Sequence, residues 1–190
     1  MIPNILILIF LALIGFFSID YNFESNFFTS RTSPSQFSAA DTIHNGYDIF
    51  NPILSELQNV SIPIQLPSYL AAEELNDPSG LYAIIGVHEE FEYSIQVATD
   101  PYCDWNTACL DGALYGEKVI VTSPPDNSQI VSLANNIDGY FIDAECNISC
   151  SMAGITWFEN DVKYTIKQKA APKQTMILIA NSAIESTIGQ

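Results

Sequence analysis

The sequence predicts an α+β domain: an antiparallel sheet with a short N-terminal helix and a C-terminal helix packed on one face. Three observations carry that expectation. Strand-like runs follow one another without β-α alternation, the pattern of sheets whose helices are segregated to one side. Apolar residues recur at helical spacing once near 50–57 and once near 176–184. Four cysteines form two close pairs, Cys103 with Cys109 and Cys146 with Cys150, each bracketing a turn-rich stretch.

Organisation along the 190 residues follows from composition. Residues 1–19 contain an uncharged apolar run, ILILIFLALIGFF at 5–17, that suits the hydrophobic region of an export signal and is short for a full membrane span. No Lys or Arg precedes it and no small-x-small cleavage site follows closely, so residues 1–19 read as a signal peptide or an uncleaved N-terminal anchor. Residues 20–46 are rich in Ser, Asn, Thr and Phe without a period and read as a flexible linker. Residues 47–190 are long enough for a single domain and too short for two ordinary ones.

Each element of that domain has a local cause. In FNPILSELQN, Asn51 is placed to cap and Pro52 to occupy the first helical position, with Phe50, Ile53, Leu54 and Leu57 on one face. Pro63 and Pro67 confine the intervening IQL to an edge strand or an extended entry. The turn NDPSG precedes 81–87, apolar on both faces and expected to be buried. Phe91, Tyr93, Ile95 and Val97 alternate with Glu92, Ser94, Gln96 and Ala98, as in a half-buried antiparallel strand. Strands are expected at 110–116, 118–122, 129–133 and 140–146, with SPPDN as punctuation at 123–127. Segments 155–158 and 162–169 form a hairpin around END, and 173–186 a helix burying Met176, Ile179, Ala180, Ala183 and Ile184.

Neighbour pairing, Cys103–Cys109 and Cys146–Cys150, is the expected disulfide pattern; the competing arrangement, a four-cysteine zinc site, usually shows tighter spacing. An oxidising compartment follows from disulfides, hence an extracytoplasmic address, periplasmic or secreted, with membrane contact only through the N-terminal apolar segment.

Charge narrows the partners. The net charge is −16, with 17 carboxylates against one lysine over 41–145 and three against four from Cys146 onward. Such a surface repels nucleic acid, whose binding depends on cationic side chains displacing counterions. The lysine stripe Lys163, Lys167 and Lys169 is expected to be structural, pairing across strands with Asp143 and Glu145.

Catalytic constellations are missing from the sequence: it holds no G-x-S-x-G elbow, H-E-x-x-H helix, P-loop or G-x-G-x-x-G turn. His44 falls in the linker, and His88 stands among Glu89, Glu90 and Glu92 at an expected solvated hairpin end. No cofactor is expected. The most loaded segment is the first cysteine bracket. Asp100, Asp104 and Asp111 there are oxygen donors of the kind Ca²⁺ prefers, although their spacing does not match an EF-hand and turn chemistry is the simpler role. Trp105, with Asp104 and Asn106, makes a recognition loop in which the indole either packs over its own disulfide or stands out as an anchor. Trp157 is assigned to the core.

The stretches CDWNTAC, NIDGYFIDAECNISC, ITWFENDVKYTI and LIANSAI resemble an exported cyanobacterial family of unknown function, over about 98–184. The hairpin from Trp157 to Tyr164 and the helix bearing Ala180, Asn181 and Ser182 are also similar to a C-terminal module of bacterial anti-sigma-type membrane proteins. The resemblance implies an extracytoplasmic α+β domain and carries no functional residue. The function expected is therefore a non-enzymatic exported domain that binds a protein or small ligand. The alternatives are a carboxylate-dependent hydrolase of wall or polysaccharide material, and a membrane-tethered sensor or assembly factor.

Overall fold

The computed structural model describes residues 46–70, 80–106, 108–147 and 150–186. The leader, the linker up to residue 45 and His44 therefore lie outside the described residues.

A five-residue helix α1 (Gly46–Phe50) opens the domain, followed by two short 3-10 turns, Asn51–Ile53 and Glu56–Asn59. The single capped helix expected here is thus broken, and no side chain caps either turn. Its apolar face survives, since Phe50, Ile53 and Leu57 are all buried. Pro52 has no N–H to give to an α-helical ladder, and helices this short are not stable on propensity alone, so packing against the first strand sets the local shape.

Seven strands follow: β1 (Tyr82–Glu89), β2 (Glu92–Ala98), β3 (Leu110–Lys118), β4 (Gln129–Ser132), β5 (Asp138–Ile142), β6 (Ala153–Glu159) and β7 (Val162–Gln168). They form one antiparallel sheet in the order β1-β2-β3-β7-β6-β5-β4. Two meanders, β1 to β3 and β4 to β7, are therefore zipped together where β3 pairs with β7. The β6–β7 hairpin turns on Asn160 (φ 51°) and Asp161 (φ 61°), two residue types that tolerate the left-handed region a tight two-residue hairpin demands.

Several expectations change. The strands expected at 110–116 and 118–122 are one strand ending at Lys118, and the chain beyond it is irregular up to Gln129. The apolar run 81–87 is half-buried because β1 is an edge strand. Strand β2, expected to show a polar open face, buries Ser94, Gln96 and Ala98 as well. The strand expected over 140–146 ends at Ile142, so Asp143 and Glu145 lie past it. Because β5 neighbours β4 and β6, not β7, these acids do not pair with the lysine stripe. Lys163 instead meets Glu117 of β3 at 2.7 Å.

Helix α2 (Lys173–Glu185) lies across β6 and β7 and buries Met176, Ile179, Ala180, Ala183 and Ile184, the face read from the sequence. Beneath it lie Ile155, Trp157, Tyr164 and Ile166. Alongside, the extended segment 60–67 crosses the same face, held by aromatic side chains of the sheet. The Trp157 indole donates to Gln65 Oε1 at 3.0 Å, and the Tyr164 hydroxyl donates to the Pro63 carbonyl at 3.0 Å. The Tyr93 hydroxyl accepts from the Gln65 amide at 3.2 Å. A proline-bounded segment that cannot complete a ladder thus has its polar groups met by side chains.

These tyrosines make the fold alkali-sensitive. Burial pushes both the Tyr93 and Tyr164 phenols well above the ordinary value, and Glu159 adds to the shift at Tyr164. A group whose folded pKa is raised stabilises fully below its unfolded pKa, here about 10, and that contribution is lost as pH rises beyond it. The share of tyrosinate absorbance that belongs to these two phenols should therefore appear only together with loss of the native far-UV circular dichroism, above about pH 10. Ionisation of both buried phenols with native dichroism intact would refute this.

Candidate functional site

With α2 and segment 60–67 closing one face, the other face of the sheet is the one that can meet a ligand. Register places Ser94, Tyr115, Thr165, Thr156 and Tyr140 in one row across it, on β2, β3, β7, β6 and β5. The Thr156 and Thr165 hydroxyls are 3.0 Å apart within that row.

The loop between β2 and β3 folds over the β1–β3 side. Its geometry is fixed at several points. The Cys103–Cys109 disulfide closes it, with Cα atoms 5.8 Å apart. Asp100 Oδ1 accepts from the Tyr102 amide at 2.8 Å and Asn106 Oδ1 from the Ala108 amide at 3.0 Å, both local turns of the kind short polar side chains make. The Asn106 carbonyl receives the amides of Cys109 and Leu110. Below the loop, Ala98, Cys103 and Leu110 form a small second core.

This scaffold holds Trp105 in a left-handed conformation, φ 50°. For a bulky residue that costs on the order of 1–3 kcal/mol and persists only when its surroundings enforce it. One enforcing contact is the Trp105 amide, which donates to the buried Gln96 Oε1 at 3.1 Å. The other is a seat for the ring. A Cβ at Gly86 would lie 2.8 Å from the indole, so only glycine admits it. Gly86 is also where the β1–β2 register shifts between Ile85 and Val87. The Val87 amide there donates to Ser94 Oγ at 2.9 Å.

The indole lies on the sheet, where it stacks near-parallel on Tyr115 with ring centroids 6.2 Å apart. It remains 40% exposed. Lys167 Nζ sits 5.5 Å from the Tyr115 ring centroid, and burial raises the Tyr115 phenol above its ordinary pKa. From Tyr115 a shallow groove of about 250 Å³ runs along β3 and β7, lined by Glu92, Glu117, Lys163, Thr165 and Lys167. The Lys163–Glu117 pair there is partly solvated and worth at most about 1 kcal/mol, too little to be what holds β3 to β7. A second depression of about 240 Å³ lies toward β5, between Tyr140, Phe158, Asp138 and Thr122. Tyr140 and Phe158 meet edge to face at 6.0 Å.

Of the residues singled out in the sequence, Trp105 reaches this face, Asn106 is spent on loop closure, and Asp104 is exposed. Asp111 accepts from Gln168 Nε2 at 2.6 Å. Among the described residues no three His, Cys, Asp or Glu side chains are gathered to hold a metal, so Asp100, Asp104 and Asp111 do not converge. His88 is exposed at the end of β1. The second bracket, Cys146–Cys150, follows β5 with both cysteines exposed, and the Ser151 amide donates to the Glu145 carbonyl at 2.8 Å beside it. Sequence reasoning passed over Tyr115 and Gly86. An isolated glycine inside an apolar strand run was the available signal, since it marks a bulge or a close approach.

Fold and site define a disulfide-clamped α+β domain with one sheet face closed by a helix and the other open. Both disulfides are formed, consistent with an oxidising extracytoplasmic environment, and among the described residues no helix is long and apolar enough to cross a membrane. The chain matches no family model, no curated protein and no solved structure.

Proposed function

We propose that this chain is an exported, non-enzymatic domain that binds a ligand or partner through the open sheet face, in the periplasm or at the cell surface. The observation that carries the reading is Trp105, a partly exposed aromatic held in a costly backbone conformation by a disulfide, a buried glutamine and a glycine seat. Rigid aromatics presented in this way make good recognition anchors because little side-chain entropy is lost on binding. The apolar run 5–17 supports delivery across a membrane, as a cleaved signal or a retained anchor.

Affinity capture from the exporting compartment tests the reading. Material recovered by the native domain and reduced at least tenfold with Trp105→Ala, at unchanged thermal stability, is the expected result. Equal recovery by the two proteins would remove the face from consideration.

A further inference from the structure

Resting on that reading of the open face, we infer that its ligand is a neutral glycan laid along the groove from Trp105 across Tyr115 toward Lys163. Three observations select this chemistry.

The first is charge. Although the chain carries a net −16, the groove is lined by two carboxylates, Glu92 and Glu117, and two ammonium groups, Lys163 and Lys167. The lining is thus balanced within an otherwise strongly acidic protein. A polyanion would meet long-range repulsion from the whole domain, and a polycation would be drawn to the surrounding acids in preference to this strip. An uncharged ligand encounters neither effect.

The second is the donor and acceptor inventory. Lys163 and Lys167 supply only donors, Glu92 and Glu117 only acceptors, and the Thr165 hydroxyl supplies both. Sugar hydroxyls are likewise both donors and acceptors, and they make their strongest hydrogen bonds to ionised partners. The Glu117–Lys163 pair fixes both of its side chains in one place, so less order has to be imposed when a hydroxyl binds.

The third is shape. The groove is open and shallow, about 250 Å³, and begins at Tyr115, on whose ring the Trp105 indole stacks with centroids 6.2 Å apart. A pyranose ring with equatorial hydroxyls has an apolar C–H face that covers an aromatic surface while its rim remains free for the polar strip. A chain of such rings fits an open groove. A free amino acid or other small zwitterion would match the charge balance but would leave the aromatic pair uncovered.

Titration with soluble β-1,4-linked glucose and N-acetylglucosamine hexamers tests the assignment, with an oligogalacturonate as the acidic comparison and glycine as the zwitterion. Trp157 is 1% exposed, so a ligand-induced change in tryptophan emission reports Trp105. The expected result is saturable binding of a neutral hexamer by calorimetry, with a shift in emission. Trp105→Ala and Tyr115→Leu should each weaken it at least tenfold. Gly86→Ala, whose Cβ would press on both the indole and Ser94 Oγ, should weaken it although Gly86 does not line the groove. Thr165→Ser, which keeps the hydroxyl that meets Thr156, and Thr165→Val, which removes it, serve should the aromatic changes disturb folding: Val is expected to lower affinity severalfold relative to Ser, with a lower unfolding temperature from the lost Thr156 contact. Binding of the oligogalacturonate or glycine alone, binding that survives Trp105→Ala, or no binding of either neutral hexamer would each overturn the glycan assignment. Trp105-dependent capture that yields a protein and no sugar would also overturn it while leaving the binding face standing. Capture independent of Trp105 would bring down both.

Discussion

Trp157→Ala is expected to destabilise the domain by about 3–5 kcal/mol, the range for removing a large buried aromatic. Trp157 is 1% exposed, stacks on Tyr164 at 5.5 Å and donates its indole N–H to Gln65. Truncation therefore opens a cavity between β6, β7 and segment 60–67, and it also strips Gln65 Oε1 of this donor. A domain of this size holds only about 5–15 kcal/mol in total, so the loss is a large share of it. Thermal unfolding followed by circular dichroism should fall by about 2–4 °C per kcal/mol. Trp157→Phe keeps most of the ring volume and separates the two contributions: it should cost less, with about 1 kcal/mol of its loss traceable to the missing hydrogen bond. A Trp157→Ala protein that unfolds within two degrees or so of the native one would show that this contact set is not central to the core.

Gly116→Ala should be nearly as damaging although it adds a single carbon. Gly116 faces Tyr93 on β2 and Tyr164 on β7 in the same row, and a Cβ there would stand 2.2 Å from the Tyr93 ring. Tyr93 is 1% exposed and its hydroxyl is engaged with Gln65, so it cannot swing aside without breaking that contact. Overpacking of this kind costs about 1–3 kcal/mol or more, and the displaced hydrogen bond adds about 1 kcal/mol. Urea unfolding measures it. Gly154→Ala is the control, because its Cβ would meet only atoms at 3.8 Å and should change stability by less than about 0.5 kcal/mol. Tyr93→Leu combined with Gly116→Ala should cost less than the sum of the two. Strict additivity would mean the two residues do not share the space assigned to them.

Much of the scaffold was legible because local signals and tertiary packing agreed. Helix α2 shows its buried stripe in the spacing of Met176, Ile179, Ala180, Ala183 and Ile184, and the β6–β7 hairpin is announced by Asn160 and Asp161 between alternating runs. Local brackets of cysteine paired as neighbours, since so few residues separate them. What was not legible depends on strands distant in sequence. Nothing between residues 110 and 169 says that β3 lies beside β7, and hence that Lys163 meets Glu117 instead of Asp143 or Glu145. The burial of Ser94 and Gln96 was equally invisible, because the Trp105 loop that folds over this part of the sheet does so only in three dimensions. The candidate face shared that fate: Trp105 was named from the sequence, whereas its neighbours came together by register.

The seam between β3 and β7 pairs residues as far apart in the chain as Gly112 and Gln168. A ribosome or secretion channel delivers the chain from its N-terminus, so the first meander emerges well before its partner exists. During that interval β3 presents an unsatisfied edge bearing Leu110, Ala113 and Leu114, the kind of surface that recruits a neighbouring molecule. Hairpins close in microseconds, whereas pairing of strands distant in sequence is slower, so the closing of this seam is expected to be the slow step in assembling the sheet. Yield during biogenesis then depends on how quickly the last third of the polypeptide arrives, and a holding chaperone would find its client in the half-finished sheet.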